Sequence, residues 1–134
     1  MMLLLDTHAL VWLDEGSQRL GRNALKVIDD ALAKDELYVS PISFWEVAML
    51  CEKQRLDLSM ELSKWRIELL QSGLREVPLN GNTAIVAGQL TDFHGDPADR
   101  IIVATALDNS AAMVTADARI LGWNGPLYKI DART

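Results

Sequence analysis

The stretch that most constrains this chain is its beginning, Met1-Met2-Leu3-Leu4-Leu5-Asp6-Thr7-His8-Ala9-Leu10. An unbroken apolar run of this length is how a strand covered on both faces reads. Met2 to Leu5 is therefore expected to be an interior strand. Asp6 then stands at its carboxyl end, with a helix opening behind it. In open α/β sheets that edge is where ligands bind. A lone Asp there is either a helix cap or the first piece of a site, and the stretch alone does not choose between them.

The rest of the chain continues the alternation. A short helix over Ala9 to Leu13 breaks near Gly16, and a second runs from about Gln18 to Ala33 on the spacing of Leu20, Leu25, Ile28 and Leu32. Leu37 to Val39 reads as a strand. Ser40-Pro41 supplies a cap followed by proline at the first helical position, which predicts a helix to about Gln54. Ser59 caps a helix over Met60 to Gln71 that Gly73 stops. Leu74 to Val77 is a strand, Thr83 to Leu90 a helix, and Phe93-His94-Gly95 a loop. Asp96-Pro97 repeats the cap-and-proline signal and opens a helix through about Leu107. Ala112 to Thr115 is a strand, Asp117 begins a short helix ending at Gly122, and Leu127 to Ile130 is the last strand. The pattern is α/β with a mainly parallel sheet, folded as one domain over residues 1–134.

Composition narrows the function classes. Hydrophobic residues make up 49% and no apolar run approaches the roughly 18 residues of a membrane helix. The start lacks the basic flank of a signal peptide, so a cytoplasmic location is expected. Cys51 is the single cysteine, which rules out a disulfide framework, and its apolar helical setting predicts a buried thiol. The formal charge of −6 excludes a general basic surface of the kind that grips nucleic acid. A nucleic-acid partner would have to be met through a metal and a few local cations.

Most of the 19 acids fall on polar helix faces or in turns. Four do not. Asp6 and Asp117 each follow a strand and precede a helix. Glu46 has Ile42, Ser43, Met49 and Leu50 one turn away, which puts it on or beside an inward face. Asp99 heads the stripe Ile102, Val103, Ala106, although Asp96 already supplies the cap. A buried unpaired carboxylate costs several kcal/mol, so such groups must be paired, protonated or bound to a cation. Arginine pairing serves Glu46 as well as a metal does, and the helix dipole alone accounts for an acid at Asp99.

If the four converge on one sheet edge, two unit charges about 4 Å apart repel by roughly 4 kcal/mol at an effective dielectric of 20. Proton uptake or a divalent cation must offset that. The candidate ligands are all oxygens, which points to Mg²⁺ or Mn²⁺ rather than zinc. Such a site suits metal-assisted phosphodiester hydrolysis. His8 and His94 are read as surface or packing residues that this chemistry does not need.

The segments LLLDTHALVW (3–12), SPISFWEVA (40–48), GDPADRIIVATA (95–106) and MVTADARI (113–120) resemble, in order, the four motif blocks of PIN-domain ribonucleases, most closely the VapC-type toxins of toxin–antitoxin pairs. The resemblance implies a PIN fold with strand order 3-2-1-4-5 and helices on both faces. It implies a Mg²⁺- or Mn²⁺-dependent endoribonuclease whose acidic quartet falls on Asp6, Glu46, Asp99 and Asp117, supported by Thr7, Ser43 and Thr115. Asp6 and Asp99 would be the most direct metal ligands. It further implies a homodimer, a VapB-type antitoxin, and structured RNA such as tRNA or rRNA as substrate. Arg22, Arg55, Arg100 and Arg119 are candidates for local phosphate contacts.

Two other readings remain at this stage. A phospho-receiver signalling domain shares the length, the class and an acidic pocket, and would use Lys129. It needs a pair of acids after the first strand, where this chain has only Asp6. A PIN scaffold that binds RNA or protein without turnover is the third.

Overall fold

β1 (Leu3–Leu5) is the middle strand of a five-stranded sheet in a computed structural model that describes residues 1–134. It is flanked by β2 (Leu37–Val39) and β4 (Ala112–Thr115), with β3 (Arg75–Glu76) and β5 (Lys129–Asp131) at the edges. Every pairing is parallel and the order is β3-β2-β1-β4-β5, as expected. Chain order reverses at β1, so the gap between the carboxyl ends of β1 and β4 is the topological switch point.

The strand that opens the chain is apolar throughout because both of its faces are covered. Leu3 and Leu5 join Leu10, Ala24, Ile28, Val39 and Val47 in one core. Leu4 points the other way into a second core with Ile102, Val103, Ala106, Met113 and Ile120. Leu4 and Leu5 are fully buried, and each such leucine contributes about 1.5–3 kcal/mol relative to exposure. The first core is built by α1 (Thr7–Glu15), α2 (Arg22–Ala33), α3 (Pro41–Glu52) and α4 (Leu62–Gln71). The second is closed by α6 (Pro97–Asp108) and α7 (Ala118–Leu121), with α5 (Gly81–Gln89) packed on α6.

The cap-and-proline signals hold: Ser40 accepts from the Ile42 N–H and Asp96 from the Asp99 N–H, each with proline next in line. Several boundaries move. The helix expected from Gln18 starts only at Arg22, because Gly21 is extended and its N–H donates to the Ala132 carbonyl at 2.8 Å. The helix expected after Ser59 starts at Leu62, capped by the Glu61 side chain, which accepts from the Ser63 N–H. Asn80 caps α5 two residues earlier than expected, and α1 runs longer at both ends than Ala9 to Leu13. The edge strands are shorter or shifted relative to Leu74–Val77 and Leu127–Ile130, since only one neighbour fixes each. Cys51 is half-buried rather than buried. Trp12, Trp65 and Trp123 are core residues, whereas Trp45 is 51% exposed.

Gly21 is where the carboxyl terminus is tied down. The Asn23 N–H also donates, to Thr134 at 3.0 Å, and a Cβ on Gly21 would meet backbone atoms of Thr134 and Arg133 at 2.2 and 2.6 Å. Gly21→Ala is expected to force the terminus off α2 and cost about 1–3 kcal/mol. A thermal or urea melt checks it, and an unchanged midpoint would show the close approach to be dispensable.

Candidate active site

Four carboxylates converge at the switch point. Asp6, Glu46, Asp99 and Asp117 line one cavity of about 280 Å³ together with Thr7, His8, Asp96, Arg119 and Arg133. They arrive on separate elements. Asp6 follows β1, Glu46 lies on the second turn of α3, Asp99 in the first turn of α6, and Asp117 just after β4.

The choice between cap and site for Asp6 turns out to be false. Its Oδ1 accepts from the Ala9 N–H at 2.8 Å, which caps α1. Its Oδ2 accepts from the Thr115 hydroxyl at 2.5 Å. The Thr115 hydroxyl in turn accepts from the Asp117 N–H at 3.1 Å, so one side chain couples both strand-end acids. Asp117 is likewise a cap, accepting from the N–H groups of Arg119 and Ile120 at 2.8 and 3.3 Å. Thr7 donates its hydroxyl to the Glu46 carboxylate and shares a 2.9 Å hydrogen bond with Ser43, which fixes the α3 acid against α1. Thr7, Ser43 and Thr115 are all buried.

The electrostatics are unfavourable by construction. Burial pushes the Asp6 carboxyl above the usual carboxylate range, against the lowering effect of Thr115 and the Ala9 N–H, and the Asp99 charge adds to the rise. Burial raises Glu46 too, with Asp99 and Asp96 as further causes and Thr7 opposing. Burial raises Asp99, the His94 hydrogen bond opposes, and Asp96 and Asp117 reinforce the rise. Asp117 is the exception: burial raises it, but hydrogen bonds from the Arg119 side chain and backbone outweigh that and leave it lowered.

Arg119 is the cation in place. Its Nη2 lies 3.1 Å from Asp117 and 3.6 Å from Asp99, on a side chain 59% exposed. One weakly anchored guanidinium shared by two acids is not a private ion pair for each, and Glu46 has no arginine partner. The cup thus has oxygen donors from four acids, three of them pushed toward protonation, and an exposed guanidinium standing beside two of them. That donor set and charge pattern fit a hard divalent cation such as Mg²⁺ or Mn²⁺.

Three residues differ from their reading in the sequence. His94 is not a bystander: its Nε2 is 2.7 Å from Asp99 Oδ2. Arg100 is not a phosphate contact, because its guanidinium is spent on the backbone carbonyls of Ala87, Leu90, Phe93 and His94 at 2.9 to 3.2 Å. Arg133, unremarked in the sequence, lines the cup, donates to the Ala116 carbonyl at 2.8 Å and lies over the Trp12 ring. Nothing local in the sequence marks Arg133, since β5 must first pair beside β4 to bring it there. Lys129, which a receiver domain would need in the pocket, instead donates to the carbonyls of Leu121 and Trp123.

The fold and site together define an α/β protein with a carboxylate cup at the switch point of a 3-2-1-4-5 sheet. A family model described as PIN domain matches residues 3–122. Ribonuclease VapC22 of Mycobacterium tuberculosis (strain ATCC 25618 / H37Rv) is 37% identical over 125 residues, covering 92% of this chain and 93% of that protein. Among solved structures, VapBC2 from Rickettsia felis bound to a DNA fragment from its promoter aligns with a TM-score of 0.69 at 17% identity, over 97% of this chain and 98% of that one. VapBC-1 from nontypeable Haemophilus influenzae aligns with a TM-score of 0.65 at 22% identity, over the whole of both chains. A toxin–antitoxin complex from Klebsiella pneumoniae gives 0.67 at 19% identity, over 97% of each. The chain belongs to the PIN-domain family.

A folded-state carboxyl pKa above its unfolded value means that stability falls as pH rises from the ordinary carboxylate range through the raised value. In the presence of EDTA, Asp6→Asn is therefore expected to melt higher than the wild type at neutral pH, by about 3 °C for each kcal/mol relieved. The gap should close on acidification, where the wild-type carboxyl is protonated. Scanning calorimetry from pH 4 to 8 checks this, and a wild type more stable than the variant at pH 7 would contradict it.

Proposed function

We propose that this chain is a divalent-cation-dependent endoribonuclease, the toxin of a toxin–antitoxin pair, working as a single PIN unit over residues 1–134. The observation that carries the reading is the convergence of Asp6, Glu46, Asp99 and Asp117 in a cup where one arginine, Arg119, is within salt-bridge range and reaches only Asp99 and Asp117. The 37% identity to a protein named as a ribonuclease supports the reaction class.

Asp6, Glu46, Asp99 and Asp117 would hold the cation. When bound, Mg²⁺ or Mn²⁺ lowers the pKa of a coordinated water and neutralises charge on the phosphate and the leaving oxygen. The chain's own residues prepare that site. Thr115 and the Ala9 N–H lock Asp6 into one rotamer, Thr7 and Ser43 do the same for Glu46, and the helix dipole of α6 favours the Asp99 charge. Arg119 and Arg133 line the same cavity and are the nearest cations for the flanking phosphates of an RNA. They offset locally the repulsion expected from a net charge of −6.

The partners follow from the relatives. The aligned Klebsiella, Rickettsia and Haemophilus structures are toxin–antitoxin or VapBC assemblies, which supports a VapB-type antitoxin here; a homodimeric toxin belongs to the same proposal. The substrate is structured RNA, tRNA or rRNA, met in the cytoplasm. No helix is long and apolar enough to cross a membrane.

Purified protein is expected to cleave RNA only with Mg²⁺ or Mn²⁺ present. Asp6→Asn and Asp99→Asn should each lower the rate at least ~100-fold, the scale of losing a group that stabilises transition-state charge. Cleavage that continues in excess EDTA would overturn the mechanism, and absence of turnover from folded, antitoxin-free protein would favour a binding scaffold. Independently of activity, millimolar Mg²⁺ or Mn²⁺ should raise the melting temperature of the wild type. Asp6→Asn should lose most of that rise.

A further inference from the structure

His94 is held more tightly than a loop histidine needs to be. Its ring stacks on Phe93 with centroids 4.4 Å apart, and Phe93 packs edge-on against the buried Trp123. The Arg100 guanidinium binds the carbonyls of Phe93 and His94 and, at the other end of the loop, those of Ala87 and Leu90. Trp123 in turn donates its indole N–H to the Thr91 carbonyl at 3.0 Å. Residues 90–95 are thus fastened at four carbonyls, and the imidazole that they carry is only 16% exposed.

What this fastening achieves is a direction. The His94 Nε2 faces Asp99 Oδ2 at 2.7 Å, and one donor atom each from His94, Asp99 and Asp117 lies within 4.8 Å of the others. Ligands about 2.1–2.2 Å from an octahedral ion are separated by roughly 3 Å when adjacent and a little over 4 Å when opposite. The His94–Asp99 pair, at 2.7 Å, is near the adjacent separation, and no pair of the three exceeds 4.8 Å. The Arg119 guanidinium lies beside Asp99 and Asp117 on a side chain 59% exposed, and a cation bound there would displace it.

We propose that His94 is a metal ligand, its Nε2 completing with Asp99 and Asp117 a mixed nitrogen–oxygen cation position on the α7 side of the cup. This rests on the reading of the cup as a divalent-cation site and adds a donor that a carboxylate quartet lacks. The consequence is selectivity. Mg²⁺ is served by oxygen, while an imidazole favours transition ions, so this pocket binds Mn²⁺ in preference to Mg²⁺. Asp99 is shared between this position and the Asp6 and Glu46 side.

The test uses the full-length, metal-stripped protein with Mn²⁺ as the probe and pulsed EPR as the readout. Wild-type protein with bound Mn²⁺ is expected to show nitrogen modulation of the electron spin echo, shifting to the ¹⁵N frequency when only histidine is ¹⁵N-labelled. That measurement needs no variant. His94→Asn should abolish the modulation and weaken Mn²⁺ binding by ~10-fold or more, while weakening Mg²⁺ binding by less than about threefold. His8→Asn, altering the histidine that lines the cavity itself, should leave the modulation intact. Bound Mn²⁺ without nitrogen modulation, or modulation lost in His8→Asn and kept in His94→Asn, would overturn the assignment of His94 and leave the cation site standing. No bound Mn²⁺ at millimolar concentration would overturn both.

Discussion

Like charges held close together in a low-dielectric cup are the constraint on which the rest of this structure depends. Asp6 shows how the fold enforces it. Its two oxygens are engaged from opposite sides, one by the amide of α1 and one by a hydroxyl of β4. Neither partner brings a full charge, so the carboxylate is oriented without being neutralised. Glu46 is treated the same way by Thr7 and Ser43. Neutral donors give geometry while leaving the negative charge of the acids uncompensated.

The packing explains how such a site persists in a domain of this size. Two separate cores, one on each face of the sheet, grip β1 from above and below, and both are made mainly of buried aliphatic side chains. Helix caps at Asp6, Ser40, Asp96 and Asp117 tie backbone amides to the same edge that carries the acids. Two of the four acids are therefore helix caps as well as lining residues of the cup. Asn removes the charge and keeps one acceptor oxygen for the cap, at Asp6 giving up the second acceptance, from Thr115.

The cup is also asymmetric. On the side of α3 and β1 the acids meet hydroxyls and are pushed toward protonation by burial. On the side of α7, Asp117 meets Arg119 and is held below the usual range in spite of burial. Asp99 faces both, with His94 at hydrogen-bond distance and Arg119 farther away. The loop that carries His94 is fastened by Arg100, whose guanidinium N–H groups donate to backbone carbonyls.

The order of elements, the parallel sheet, the caps at Ser40 and Asp96 and the four acids were all legible in the linear sequence. Each is written in signals a few residues wide: an apolar run, a Ser-Pro or Asp-Pro pair, an acid out of register with its polar neighbours. The resemblance of four short blocks to the PIN family implies that those acids share one edge of the sheet. What the sequence could not decide depends on contacts across tens of residues. Gly21 delays a helix because the carboxyl terminus lies against it, Thr115 reaches Asp6 across 109 positions, and Arg133 enters the cup only once β5 has paired with β4. His94 and Arg100 looked interchangeable with any loop histidine and any surface arginine. Only the folded chain, by setting one against Asp99 and the other against its own loop, gave them different work.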